Sequence, residues 1–370
     1  MNTDFLAALT LVAVFAGVVL IHELGHFVVG KLMGIEVEEF GIGLPPRILT
    51  LFRWQGTEFT LNWIPLGGFN RFKGEDDPDT PGGFSEANPW ARLAVLFAGP
   101  VMNLLAGVFI YSLIFTQIGL PDFSHVRVYE VSPDSPAEKG GLQKGDIILR
   151  AGGEEITGDK HLRDMIHAYL DTPMPLTVLR GGEEVSLTVT PLSSRTVEEG
   201  AIGISPGPVL VPPSSWAATL PYSALTTYDQ AKQILLLPAR LLRGTLSSEE
   251  GRLIGFKGIY DVFRQTLDRD AESREQILSS QPENNAELPT FYTLNLIASL
   301  TITLGVFNLL PFPALDGGRI LFTLPEIFIR RRIPPKFQNA INAIGLLILI
   351  AFMVYVNLMD FIKPVHISIP

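Results

Sequence analysis

The sequence predicts an α-helical membrane protein with four transmembrane helices, a membrane-associated β-hairpin and an extracytoplasmic α+β domain. Three observations carry that expectation. Residues 5–33, 91–118, 291–310 and 340–358 are apolar runs that meet or approach the ~20 residues needed to cross ~30 Å of hydrocarbon. Of the 370 residues, 47% are apolar and only 18% are charged, below the roughly 25% of soluble domains. Residues 119–289, between the second and third runs, are polar and long enough to fold by themselves. A single apolar run is compatible with a buried core helix, but four in one chain favour lipid.

The first run lacks a basic leader and a small-x-small cleavage pattern, so it is not expected to be a cleaved signal peptide. After it, residues 57–64 alternate in part and are aromatic-rich, which suits a short β-ribbon, and Gly41, Gly43, Gly67 and Gly68 suit its turns. The second run contains "FAGPVMNLL", residues 97–105. Its Gly99 and Pro100 suit close helix approach, and Asn103 suits a hydrogen bond between helices in a structural role. Residues 193–215 are rich in Pro, Gly and Ser and read as a linker. Residues 216–242 are amphipathic, with Trp216 and Tyr222 placed to lie along the outer membrane surface. Residues 264–287 are charge-rich and read as an irregular loop. The expected units are thus 1–120, 121–195, 196–290 and 291–370.

Positive charge sets the orientation. Lys31, Arg47, Arg53, Arg71, Lys73 and Arg92 follow the first run, and Arg319, Arg330, Arg331, Arg332 and Lys336 follow the third. Both connections are therefore expected in the cytoplasm, with both termini and the long insertion outside. His22 then lies about 25 Å down its helix from Phe5, at 1.5 Å per residue. The third run descends to the same depth near Asn308. The net charge of −10 and the lack of a basic, aromatic-interleaved patch argue against nucleic acid. The absence of cysteine excludes disulfides, Cys-ligated zinc, iron–sulfur clusters and thiol catalysis.

Ionisable side chains at membrane depth cost several kcal/mol and mark function. "HELGH" places His22 and His26 four apart, on one helix face, where they can share a metal ion. Glu23 is placed to take a proton from water beside that ion, the arrangement of zinc metalloproteases. A catalytic zinc needs a third protein ligand and an open position. "NLLPFPALDGG", residues 308–318, follows the third run at the expected depth. Two prolines break the helix there, and broken backbone at that depth must face protein or a water-filled cavity. Asp316 is the carboxylate on offer, although alone it would read as a helix cap.

The pairing of HELGH in the first run with N-x-x-P-x-P-x-L-D-G after a later one resembles the site-2 protease family, the intramembrane zinc metalloproteases. The order of elements is similar to the bacterial branch that cleaves anti-sigma factors, and the resemblance covers nearly the whole chain. It implies Zn2+ bound by His22, His26 and Asp316, Glu23 as general base, and Asn308 in the substrate-binding region. Similar enzymes often carry an asparagine five positions earlier, where this chain has Thr303, so Thr303 is the expected substitute. The β-ribbon, with Gly67 and Gly68, is implied to lie beside the active site and offer a strand edge to unwound substrate. Residues 125–191 resemble a PDZ domain, with a turn "GLQKGD" and a strand–Gly-Gly–strand hairpin. Such a domain binds a peptide or a C-terminus, or sterically excludes bulky substrates.

The implied activity is hydrolysis in or near the transmembrane segment of single-span proteins, such as anti-sigma factors or signal-peptide remnants, in the inner (plasma) membrane. The active site would be toward the cytoplasm. Two other classes fit the residues less well. A metal transporter needs ligands spread along a path, and an inactive PDZ scaffold needs no Glu23.

Overall fold

The computed structural model describes residues 3–75, 80–194, 200–244, 254–279, 290–329 and 333–363. The chain begins with α1 (Thr3–Leu32), a helix apolar on all sides, as lipid requires. Strands β1 (Val37–Trp54) and β2 (Thr57–Phe72) follow as an antiparallel pair, longer than the ribbon expected. Both strands bend, so the pair makes four arms. Residues 39–42 lie between residues 58–61 on one side and residues 68–71 on the other, and residues 47–54 pair with 57–62. The arm at residues 68–72 is an edge. Helix α2 (Pro89–Ile118) then carries Pro100 inside it.

The insertion builds a six-stranded sheet from β3 (Leu120–Val131), β4 (Ile147–Ala151), β5 (Glu154–Glu155), β6 (Met174–Arg180), β7 (Glu183–Val189) and β8 (Ile204–Val211). The order is β7-β6-β4-β3-β8, with β5 on β4. Two helices, α3 (Pro136–Lys139) and α4 (Asp159–Ala168), cover it. Ser135 caps α3, its hydroxyl accepting from the Glu138 N–H at 3.2 Å. Gly181 and Gly182 both have positive φ, 58° and 90°, which the two-residue β6–β7 turn demands. Arg180 donates twice to the buried Asp146 carboxylate, 2.7 Å each, and the second of those oxygens also accepts from the Gln143 N–H. The core is aliphatic: Val126, Val128, Ile148, Leu162, Leu176 and Val178 are 2% exposed or less.

Strand β8 corrects the expectation of a linker over residues 193–215. Its residues pair with β3 along most of that strand. Two prolines and a glycine disguise it, but β8 ends the sheet order, and an edge strand tolerates Pro.

Five helices complete the described chain: α5 (Trp216–Leu242), α6 (Phe256–Ser279), α7 (Tyr292–Leu309), α8 (Asp316–Ile329) and α9 (Pro335–Ile362). Helix α6 is a second correction. Residues 264–279 are helical where an irregular loop was expected, and residues 280–287 of that stretch lie outside the described residues. Val262, Phe263 and Thr266 are buried on one face, while the charges that suggested a loop lie elsewhere on the helix. Arg330, Arg331 and Arg332, used above for orientation, also lie outside the described residues.

Among the described residues, four helices are long and apolar enough to cross a membrane: Asp4–Leu32, Pro89–Ile118, Tyr292–Leu309 and Lys336–Ile362. In the last, Leu346, Leu347, Ile348, Phe352 and Val354 are exposed, an apolar surface suited to lipid and not to water. The chain divides into two compact units, one of Met1–Ile114, Leu220–Ser273 and Thr290–Pro370, the other of Phe115–Thr219 and Arg274–Pro289. The first contains all four of these helices except the end of α2, and contains the whole site described next.

Candidate metal centre

Helices α1 and α2 meet where both lack side-chain bulk. A Cβ on Gly25 would collide with the Ala98 carbonyl, and one on Gly99 would strike His26 Nε2. The glycines thus let two helix backbones touch while two imidazoles fit between them. His22 and His26 are 5% and 7% exposed. Their Nε2 atoms face each other at 3.1 Å.

The third group comes from the start of α8. Pro311 and Pro313 end the preceding helix, and the chain doubles back tightly: a Cβ on Gly317 would collide with the Leu310 carbonyl, and one on Gly318 with that of Phe312. Ala314 takes the left-handed conformation, φ 74°, and its N–H donates to Asn342 Oδ1 of α9 at 3.2 Å. Two ion pairs fix α8 beyond the turn. Arg319 pairs with Glu75, which follows β2, and the buried Arg92 of α2 pairs with Glu326. So held, Asp316 presents Oδ2 3.0 Å from His22 Nε2 and 3.3 Å from His26 Nε2.

These three atoms pass a chemical test for a cation. His26 Nδ1 lies 2.8 Å from the Val95 carbonyl, so Nδ1 carries the proton and Nε2 offers a lone pair. A single proton on His22 Nε2 can point along one of the three contacts, and it leaves His26 Nε2 and Asp316 Oδ2 facing each other lone pair to lone pair at 3.3 Å. A cation satisfies all three. Tetrahedral zinc with bonds of 2.0–2.2 Å separates its ligand atoms by roughly 3.3 Å, and the observed separations are 3.0, 3.1 and 3.3 Å. The His22–His26–Asp316 cluster is the group of three or more such side chains, among the described residues, that can hold a metal.

The remaining expected residues divide. Glu23 and Asn308 line the same cavity of about 300 Å³ as the cluster, with Leu304, Leu315 and Arg319. Asn308 Nδ2 stands 3.3 Å from His22 Nε2. Gly67 and Gly68 pack on the α1 turn that carries Glu23: a Cβ on Gly67 would lie 3.5 Å from Val19, and one on Gly68 3.5 Å from Glu23 Cγ. Neither glycine lines the cavity, and neither does Thr303.

Two residues at the site escaped the sequence reading. Asn70 of β2 donates through Nδ2 to the Glu23 carbonyl at 2.7 Å and to Glu23 Oε2 at 2.8 Å, fixing the carboxylate. Asn103, expected to be structural, stands 3.4 Å from His22 Nδ1. An asparagine two residues before the end of an aromatic β-ribbon carries no signal of its own. Asn103 did carry one, a polar residue at lipid depth, and only its partner was missing.

Comparison with known proteins follows the same lines. The model of peptidase family M50 matches residues 10–352. A protein of Clostridium perfringens carrying the name "Putative zinc metalloprotease" is 31% identical over 354 residues, spanning 95% of this chain and 97% of its own. One of the same name from Campylobacter jejuni is 29% identical over 97% of this chain and 93% of its own. "Metalloprotease MmpA" of Caulobacter vibrioides is 27% identical over 94% of this chain and 93% of its own. With the family model and full-length relatives both running across it, this chain belongs to peptidase family M50, the site-2 protease family, and is a zinc metalloprotease of the membrane.

Proposed function

We propose that this chain hydrolyses peptide bonds in or near the transmembrane segment of single-span membrane proteins, with zinc held by His22, His26 and Asp316. The observation that carries the reading is the convergence of those three side chains, with ligand atoms within 4.8 Å of one another, inside a bundle of apolar helices. Zinc in such a donor set supplies a Lewis acid that polarises a carbonyl and acidifies water.

The residues do the rest. Glu23, oriented by Asn70, takes a proton from the attacking water and returns it to the leaving amine as the C–N bond breaks. Asn308 donates from Nδ2 to the substrate backbone. A helical substrate hides its peptide bonds in its own hydrogen bonds and must be unwound first. The edge arm at residues 68–72, against the α1 turn that bears Glu23, offers main-chain partners to the extended segment. The insertion acts as a PDZ domain outside the cytoplasm, binding a peptide or C-terminus or excluding bulky substrates. Both termini face outward, the site faces the cytoplasm, and the membrane is the inner (plasma) membrane. The natural substrate is a single-span protein already trimmed on its outer side, in regulated proteolysis of an anti-sigma factor or of signal-peptide remnants.

The test is co-expression of the native chain and Glu23→Gln with a panel of single-span membrane proteins. Native chain removes a subset; Glu23→Gln, still loaded with zinc, slows that loss by about 10²–10⁴-fold. Cleavage that persists undiminished in Glu23→Gln contradicts the reading. A chain that cuts only water-exposed loops overturns the substrate assignment alone.

A further inference from the structure

The two imidazoles of the centre are held from behind in different ways. His26 has a main-chain partner, the Val95 carbonyl, 2.8 Å from Nδ1. Among the described residues His22 has none: the polar group beside its Nδ1 is the Asn103 side chain at 3.4 Å. A ring that gives its Nε2 lone pair to a metal carries its proton on Nδ1, and that proton needs an acceptor. Asn103 is 0% exposed. Its single side-chain acceptor is Oδ1, and Oδ1 is buried with no hydrogen-bond partner. The two ends of a carboxamide are nearly the same size, so a half-turn about the Cβ–Cγ bond brings Oδ1 to the ring without moving the backbone.

We infer that Asn103 is the positioning residue for His22, its Oδ1 accepting from Nδ1–H and so fixing the tautomer and ring plane that turn Nε2 toward Asp316 and His26. The inference rests on the metal reading above and adds to it the group that supports His22. The backbone around Asn103 is suited to hold it. Its carbonyl accepts from Thr301 Oγ1 of α7 at 3.4 Å, and Gly305 of α7 packs on it, where a Cβ would come within 3.2 Å of Asn103 Cβ. The same asparagine therefore touches the helix that leads to Asn308 and Asp316. This gives "FAGPVMN" one purpose in two parts: Gly99 makes room for the imidazoles, and Asn103, one turn on, supports His22.

A packing role and an accepting role make opposite predictions for two near-isosteric variants. Asn103→Leu keeps volume and removes the acceptor; Asn103→Asp keeps the acceptor and adds charge. The full-length protein, purified in detergent, is titrated with zinc against a chelator of known affinity, with activity measured separately. Zinc binding to Asn103→Leu is expected to weaken by about 10–100-fold, and Asn103→Asp to bind within a few-fold of native. Zinc held equally by Asn103→Leu and native overturns the inference, and so does Asn103→Asp losing as much zinc as Asn103→Leu. Where Asn103→Leu does not fold, Asn103→Ala replaces it under the same criteria. A native chain that takes up no zinc fails the metal reading itself, which separates that outcome from a failure of Asn103 alone.

Discussion

The two compact units of this chain hide opposite things. The sheet of the insertion buries Val126, Val128, Ile148, Leu162, Leu176 and Val178, as a domain in water must. The helical unit displays Leu346, Ile348, Phe352 and Leu105 on its surface and buries His22, His26, Asn103 and the Arg92–Glu326 pair. In lipid the hydrophobic effect gives no reason for helices to meet. What joins them is small residues and polar contacts, and those same contacts surround the His22–His26–Asp316 cluster. A buried side chain in the insertion therefore serves stability, whereas on the proposed reading the buried His22, His26 and Asn103 of the helical unit serve the metal.

Two substitutions bear on that contrast, the larger first. Gly99→Ala places a methyl group against His26 Nε2, and 2.8 Å from His22 Cε1. We expect zinc affinity to fall by more than the ~10–100-fold typical of losing a supporting hydrogen bond, read by chelator competition. Ala favours a helix over Gly by about 1 kcal/mol, so a chain limited only by helix stability would gain from the change, and retained zinc would break the contrast. Leu162→Ala, by comparison, opens a cavity in the insertion's core, where Leu162 is 1% exposed. Denaturant unfolding followed by a probe in the insertion should show a loss of about 2–5 kcal/mol, with zinc content unchanged. Zinc lost in step with that unfolding would mean that the division of labour is not real.

What could be read from the sequence follows the range of the interactions. The placement of His22 and His26 side by side was legible because a helix fixes residues four apart on one face. The placement of Asp316 beside them was legible because crossing a bilayer fixes depth, so two distant segments can be matched by depth alone. Asn70 and the role of Asn103 were not, since each depends on which side chain faces it from another element. Strand β8 was missed because Pro and Gly signal turns locally, and only the sheet order reveals an edge position that tolerates them. Helix α6 was missed because residues 264–279 are dominated by charge, while the buried apolar positions of the helix, Val262 and Phe263, come just before that stretch.

The central claim is that His22, His26 and Asp316 bind one zinc ion together. X-ray absorption at the zinc edge of the purified, zinc-loaded chain tests it most directly. The account predicts a shell of nitrogen and oxygen at about 2.0–2.2 Å with outer scattering from two imidazoles. One imidazole should be lost in His26→Ala and an oxygen in Asp316→Ala, with the shell of Glu23→Gln unaltered. A native spectrum without imidazole scattering, or an Asp316→Ala spectrum identical to native, would contradict it.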